Sequence, residues 1–159
     1  MKKMTFAIGL ALLFLSFPLS AQTLTDSQKA DIEKAVKLQI SQYFHTIEAI
    51  DYEGYLKCFT REKFIGWLSN GQVVTSFDTL KQQQKVNWET RKEVKITPQE
   101  TKVTVLSAEA AVSSINGTFY TALKNGNVTN NNWGVLIIWI KEAGAWRVAY
   151  TGSSQVAKN

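Results

Sequence analysis

The stretch from Glu109 to Thr151 constrains the fold of this sequence more than any other, because it spells three long strands separated by two turns. The strands read as Ala110–Lys124, Val128–Glu142 and Trp146–Thr151, with Asn125-Gly126 and Ala143-Gly144 between them. Asn-Gly favours the positive φ values of a tight hairpin, and Gly144 can supply a left-handed residue after Ala143. Val135-Leu-Ile-Ile-Trp-Ile140 is apolar on both alternating faces, so that strand calls for cover on both sides. The expectation is a curved antiparallel meander with helices packed in its hollow.

Residues 1–21 read as an export signal. Lys2 and Lys3 give a basic end, Phe6 to Leu19 an apolar run, and Ser20-Ala21 the small residues a signal peptidase accepts. The run is short for a membrane span and no second one follows, so no stable membrane anchor is expected. The mature chain, 22–159, is then a single exported domain, periplasmic or secreted, with enough length for one real core.

The formal net charge of +5 includes Lys2 and Lys3, and the remaining basic residues are scattered. No dense basic run with interleaved aromatics appears, so a nucleic-acid partner is not implied. The only cysteine, Cys58, has no intrachain partner and reads as a small buried hydrophobe. One histidine and one cysteine cannot make a metal shell by themselves, and no phosphate-loop pattern occurs, so neither a metal nor another cofactor is implied.

Thr25-Asp-Ser-Gln28 fits a capping box opening a long first helix. Ile32, Val36, Ile40, Tyr43, Ile47 and Ile50 form its apolar stripe, with His45 nearly opposite and therefore exposed. Asp51 closes that helix and caps a second, Tyr52–Phe59; a carboxylate there meets free N–H groups and the positive helix end. The other reading of Asp51 is a catalytic acid facing a cavity. Phe64–Ser69 and Gln72–Thr75 read as a small hairpin around Asn70-Gly71. Ser76 or Asp78 starts a third helix, with Leu80, Val86 (or Gln83 and Gln84) and Trp88 on its buried side. Val94–Thr97 and Thr101–Leu106 read as strand, with Pro98 marking a bulge or an edge.

This order resembles the nuclear transport factor 2-like superfamily, and within it the SnoaL-like and ketosteroid-isomerase-like bacterial proteins. The resemblance is carried by Ile47-Glu-Ala-Ile-Asp51-Tyr-Glu-Gly-Tyr-Leu56, Asn70-Gly71, Ser76-Phe-Asp-Thr-Leu80 and Ile140-Lys-Glu-Ala-Gly-Ala-Trp-Arg-Val148. It implies an α+β cone, a bent sheet wrapped on N-terminal helices and open at one end to a pocket. The same shell serves isomerases, cyclases, dehydratases and plain binding proteins, so the pocket must decide function. Cyclase-like relatives use an Asp and a His. Many relatives carry a His after the closing Trp strand, where this chain has Tyr150-Thr-Gly-Ser-Ser154.

Neither Ala110–Lys124 nor Val128–Ile140 contains a carboxylate or a histidine. Their surfaces can hydrogen-bond a ligand but lack a group that ionises near neutral pH. The candidate ligand-binding residues are therefore aromatic or uncharged, with one arginine: Tyr43, Trp67, Trp88, Asn116, Tyr120, Trp133, Arg147 and Tyr150. They suit a small apolar or aromatic ligand, with Arg147 or Asn116 orienting it. Two functions stand open: a non-catalytic binding or accessory module, and a small cofactor-independent isomerase or hydratase using Asp51 with Tyr43 or Tyr120. The two-sided apolar run Val135–Ile140 further suggests a homodimer through the outer face of the sheet.

Overall fold

Thr25 opens the first helix as its capping box implies. Its hydroxyl accepts from Gln28 N at 3.2 Å, while Gln28 Oε1 accepts from Thr25 N at 2.9 Å. The computed structural model describes residues 23–69 and 71–157. The expected signal at 1–21, the mature start near Gln22 and the Asn70 half of the hairpin turn lie outside them. Helix α1, Asp26–Glu48, buries Val36, Ile40, Tyr43, Phe44 and Ile47 and leaves His45 exposed. The chain then turns through Ile50, whose φ is +54°, a left-handed value costly for a β-branched residue. Asp51 caps α2, Tyr52–Lys57. Strands β1 (Gly66–Ser69) and β2 (Gln72–Val74), helix α3 (Phe77–Thr90) and strands β3 (Arg91–Ser107), β4 (Ala110–Leu123), β5 (Val128–Glu142) and β6 (Ala145–Ala157) follow.

The described strands form one curved, unclosed sheet in the order β2-β1-β6-β5-β4-β3. Its larger part is the antiparallel meander expected from the turn residues, and Ala143, Gly144 and Gly126 all have positive φ. The sheet is nevertheless mixed: β1 runs parallel to β6, with Trp67 opposite Thr151. A wholly antiparallel sheet therefore needs correcting at this joint, where α1, α2 and the segment after them carry the chain back to start β1 in the direction of β6.

Strand β3 is continuous through Pro98 rather than two separate pieces. Proline is tolerated there because β3 is an edge strand and the ladder shifts register between Pro98 and Glu100. Opposite it, a Cβ on Gly117 would fall among the backbone atoms of Thr97 and Pro98, so the close approach of the two strands requires glycine. Strand β6 runs on to Ala157 instead of ending at Thr151.

The concave face carries Ala111, Ser113, Ile115 and Phe119 of β4 with Trp133, Val135, Ile137 and Trp139 of β5, all buried. The Trp139 indole donates to Ser113 Oγ at 2.9 Å, so a fully buried hydroxyl is satisfied by a fully buried ring. A register shift against β5 at Ile138/Trp139 changes which side chains of β6 face inward: Trp146 and Val148 before it, Thr151 after it. The inner half of the Val135–Ile140 run is covered, while Leu136 on the outer half is 43% exposed.

Candidate functional site

The helices cover the hollow of the sheet but leave a half-open cavity of about 90 Å³. Tyr43 and Ile47 of α1, Tyr55 of α2, and Gln84 and Trp88 of α3 form its helical wall. Trp67, Ser69, Phe119, Trp133, Val135, Thr151, Ser153 and Gln155 form the sheet wall, and Arg91 enters where α3 passes into β3. Leu80, Gln84 and Trp88 are buried at successive intervals of four, so one narrow stripe of α3 faces the core. That stripe bypasses Val86, which is 61% exposed.

The helical wall is a stack. The Arg91 guanidinium lies 4.2 Å from the Trp88 ring centre, Trp88 lies 4.4 Å from Tyr55, and Tyr55 lies 5.5 Å from Tyr43. A desolvated cation on an indole face is attracted by the ring quadrupole by up to about 2 kcal/mol, which fixes the orientation of Arg91. Burial lowers Arg91 from its usual guanidinium range, yet a guanidinium keeps its proton in proteins. Burial pushes the phenols of Tyr43 and Tyr55 the other way, well above the ordinary tyrosine value, so both remain neutral.

Polar atoms around the cavity divide unevenly. Several acceptors are engaged: Ser69 Oγ receives the Ser153 hydroxyl at 3.3 Å, Gln155 Oε1 receives Asn131 Nδ2 at 2.9 Å, and Gln84 Oε1 receives Asn87 Nδ2 at 3.4 Å. Three donors are not. Gln84 Nε2, Trp88 Nε1 and Arg91 Nη1 are inaccessible to solvent and have no hydrogen-bond partner among the described residues. An unpaired buried donor costs about 1–3 kcal/mol, and native structures contain few of them.

Of the residues singled out from sequence, Tyr43, Trp67, Trp88 and Trp133 line this cavity. The others point elsewhere. Asn116 and Tyr150 border a groove of about 590 Å³ with Leu68, Glu100 and Leu136 on the outer face, where Asn116 Nδ2 donates to Glu100 Oε2 at 3.3 Å. Tyr120 is half-buried beneath Lys95 Nζ, 5.9 Å from its ring centre. Arg147 donates to the carbonyl oxygen of Lys57 beside a surface hollow. Strand alternation accounts for Asn116 and Tyr120, which sit at even positions of β4 while its inward positions through the middle are odd. Orientation of an interior ligand by Arg147 or Asn116 is thus corrected: the arginine that reaches the interior is Arg91.

Asp51 is exposed, and its Oδ1 accepts from Gly54 N at 2.8 Å, the geometry of a helix cap. Neither Asp51 nor Tyr120 lines the cavity, whereas Tyr43, the other tyrosine considered beside Asp51, does. Cys58 is half-buried, its thiol pushed up by burial and directed at Gly54 O. Among the described residues no three His, Cys, Asp or Glu side chains converge. No helix among them is long and apolar enough to cross a membrane.

Sequence reasoning missed Arg91, Tyr55, Ser69, Thr151, Ser153 and Gln155, and treated Gln84 only as an alternative to Val86. A signal did exist for Gln84, an amide midway between Leu80 and Trp88 on an otherwise apolar stripe. Arg91 had none, because it lies at a helix–strand junction where neither periodicity applies.

No family model matches the chain, and no curated protein matches it in sequence. Solved structures match it in shape. A nuclear transport factor 2-like superfamily protein from Salmonella enterica serovar Typhimurium superposes with a TM-score of 0.71 at 15% identity, covering 82% of this chain and 94% of its own. A ketosteroid isomerase-like protein from Erwinia carotovora atroseptica gives 0.63 at 20% identity, covering 79% and 96%. A protein from Novosphingobium aromaticivorans, provisionally named a scytalone dehydratase, gives 0.75 at 9% identity, covering 83% and 89%. Their names diverge in activity while their architecture agrees, and at these identities the likeness speaks for the fold alone. The chain has the nuclear transport factor 2-like fold, an α+β cone of helices held in a curved sheet.

Proposed function

We propose that this chain is an exported binding module whose cone interior holds a small ligand. The observation that carries the reading is the composition of the cavity wall. Among the described residues it offers aromatic rings, hydroxyls, amides and one guanidinium, but no carboxylate and no imidazole. Proton transfer near neutral pH needs a group that titrates there, and buried phenols held above their ordinary value do not. The isomerase and dehydratase names of proteins with this fold therefore argue for a shared container rather than shared chemistry. Trp67, Phe119 and Trp133 supply the apolar walls expected of a ligand pocket.

The reading is tested by native mass spectrometry of the protein purified gently from its own host, in wild type and in Trp67→Ala. A bound small molecule lost from the variant supports it. Turnover of that molecule, abolished by Asp51→Asn in a protein still melting with wild type, would falsify it. Export is part of the same proposal, and N-terminal sequencing of protein from the periplasm or medium should begin near Gln22. The outer groove, with the exposed Leu136 among its lining residues, is further proposed to seat a second copy of the chain.

A further inference from the structure

We infer that the ligand of the interior cavity is a small monocarboxylate, held by Arg91, Gln84 and Trp88. The inference deepens the binding-module reading and rests on it. Three side chains from the end of α3 and the start of β3 that line one cavity each carry a buried N–H group with no partner among the described residues. All three are donors. Indole and guanidinium nitrogens cannot accept, and the unpaired atom of Gln84 is its amide nitrogen. The complementary ligand group is one that only accepts, as an ionised carboxylate does.

Charge narrows the choice. Arg91 takes part in none of the ion pairs found among the described residues, which are Lys29–Asp26, Lys37–Glu33 and Lys95–Glu93. Among the described residues no other cation lines the cavity, so one positive charge there matches one negative charge. A dianion such as phosphate would enter with half its charge uncompensated in a desolvated site. Shape agrees with a planar group. The Arg91 guanidinium lies over the Trp88 ring, 4.2 Å from its centre, and a planar guanidinium can bind a carboxylate through paired N–H donors.

Size sets the remainder of the molecule. About 90 Å³ is the liquid share of roughly three waters, so roughly four to six non-hydrogen atoms fit within the walls of this half-open cavity. Ile47, Phe119 and Val135 add apolar wall to the same cavity. A two- to four-carbon acid with an unbranched apolar tail satisfies all of these constraints.

The test follows the five tryptophan indole N–H signals by ¹⁵N NMR, with the Trp88 signal assigned by Trp88→Phe. Propionate, its neutral isostere propionamide and inorganic phosphate are titrated at matched ionic strength and pH 7. Propionate should shift the Trp88 signal saturably and bind about tenfold or more tightly than propionamide, because a charge-assisted pair is lost in the amide. Phosphate should bind more weakly than propionate. Arg91→Met should weaken propionate to the level of propionamide, and Gln84→Met, which leaves the cation in place, should weaken it by a smaller factor. Far-ultraviolet circular dichroism and indole dispersion show that each variant is folded. Equal binding of propionate and propionamide, or undiminished propionate binding by folded Arg91→Met and Gln84→Met, overturns the carboxylate assignment but leaves cavity binding standing. Phosphate outbinding propionate overturns it in favour of a dianion. If no probe of either charge moves the Trp88 signal, the carboxylate assignment is overturned, while the binding-module reading is decided separately by native mass spectrometry.

Discussion

Gln84→Met should make the ligand-free protein more stable while weakening its ligand site. Gln84 is 2% exposed, and its Nε2 has no partner among the described residues. Relieving that donor recovers about 1–3 kcal/mol. The change forfeits one hydrogen bond, from Asn87 Nδ2 at 3.4 Å, beyond the usual N–H···O range. Asn87 is exposed and finds water instead, so this loss is roughly 0.5 kcal/mol. Methionine nearly matches glutamine in length and helix propensity, so the backbone term is close to zero. The net expectation is a gain of about 0.5–2.5 kcal/mol, or roughly 2–10 °C in melting temperature for a domain of this size. Urea unfolding followed by circular dichroism measures it, with an unchanged m-value showing that the native and denatured ensembles are comparable. Saturating propionate should then close or reverse the gap, because ligand stabilises the wild type more. A variant no more stable than wild type, at equal m, would refute the claim that Gln84 carries an unmet donor.

Other perturbations have equally definite outcomes. Asp51→Ala should lower stability by about 0.5–2 kcal/mol through loss of the cap on Gly54 N, with ligand affinity unchanged by calorimetry. Trp139→Phe should cost about 1–3 kcal/mol in urea unfolding, since it leaves the Ser113 hydroxyl buried and without its indole donor. Leu136→Glu should convert a dimer into a monomer in sedimentation at micromolar concentration; a wild-type monomer there would remove the outer-face interface. Alkaline pH acts through Tyr43 and Tyr55, both raised in the folded state above the ordinary value of 10.0. The unfolded chain then releases protons first, so stability should hold below about pH 10 and fall as pH rises beyond it. Tyr43→Phe should flatten that decline in a pH series of denaturant midpoints.

Local chemistry determined most of the elements. Thr25 and Gln28 name the start of α1 because a capping box needs only residues three apart, and the Asn125-Gly126 and Ala143-Gly144 turns follow from positive φ. The inward face of β5 follows from the period of two, which places Trp133, Val135, Ile137 and Trp139 together. Asp51 was legible as a cap for the same reason, a carboxylate acting on N–H groups within one turn. The parallel seam between β1 and β6 was not legible, since it joins Trp67 to Thr151 across most of the chain and no local signal encodes such a pairing. The register shift in β6 also escaped, and with it the inward turn of Thr151 and the outward turn of Tyr150. Tertiary packing alone decided which arginine matters. From sequence only Arg147 stood out, but strand alternation sends it to the surface, while the α3–β3 junction lays Arg91 on Trp88 inside the cone. Sequence thus fixes which groups a short stretch can satisfy by itself; the donors it leaves unmet are visible only when distant segments close around them.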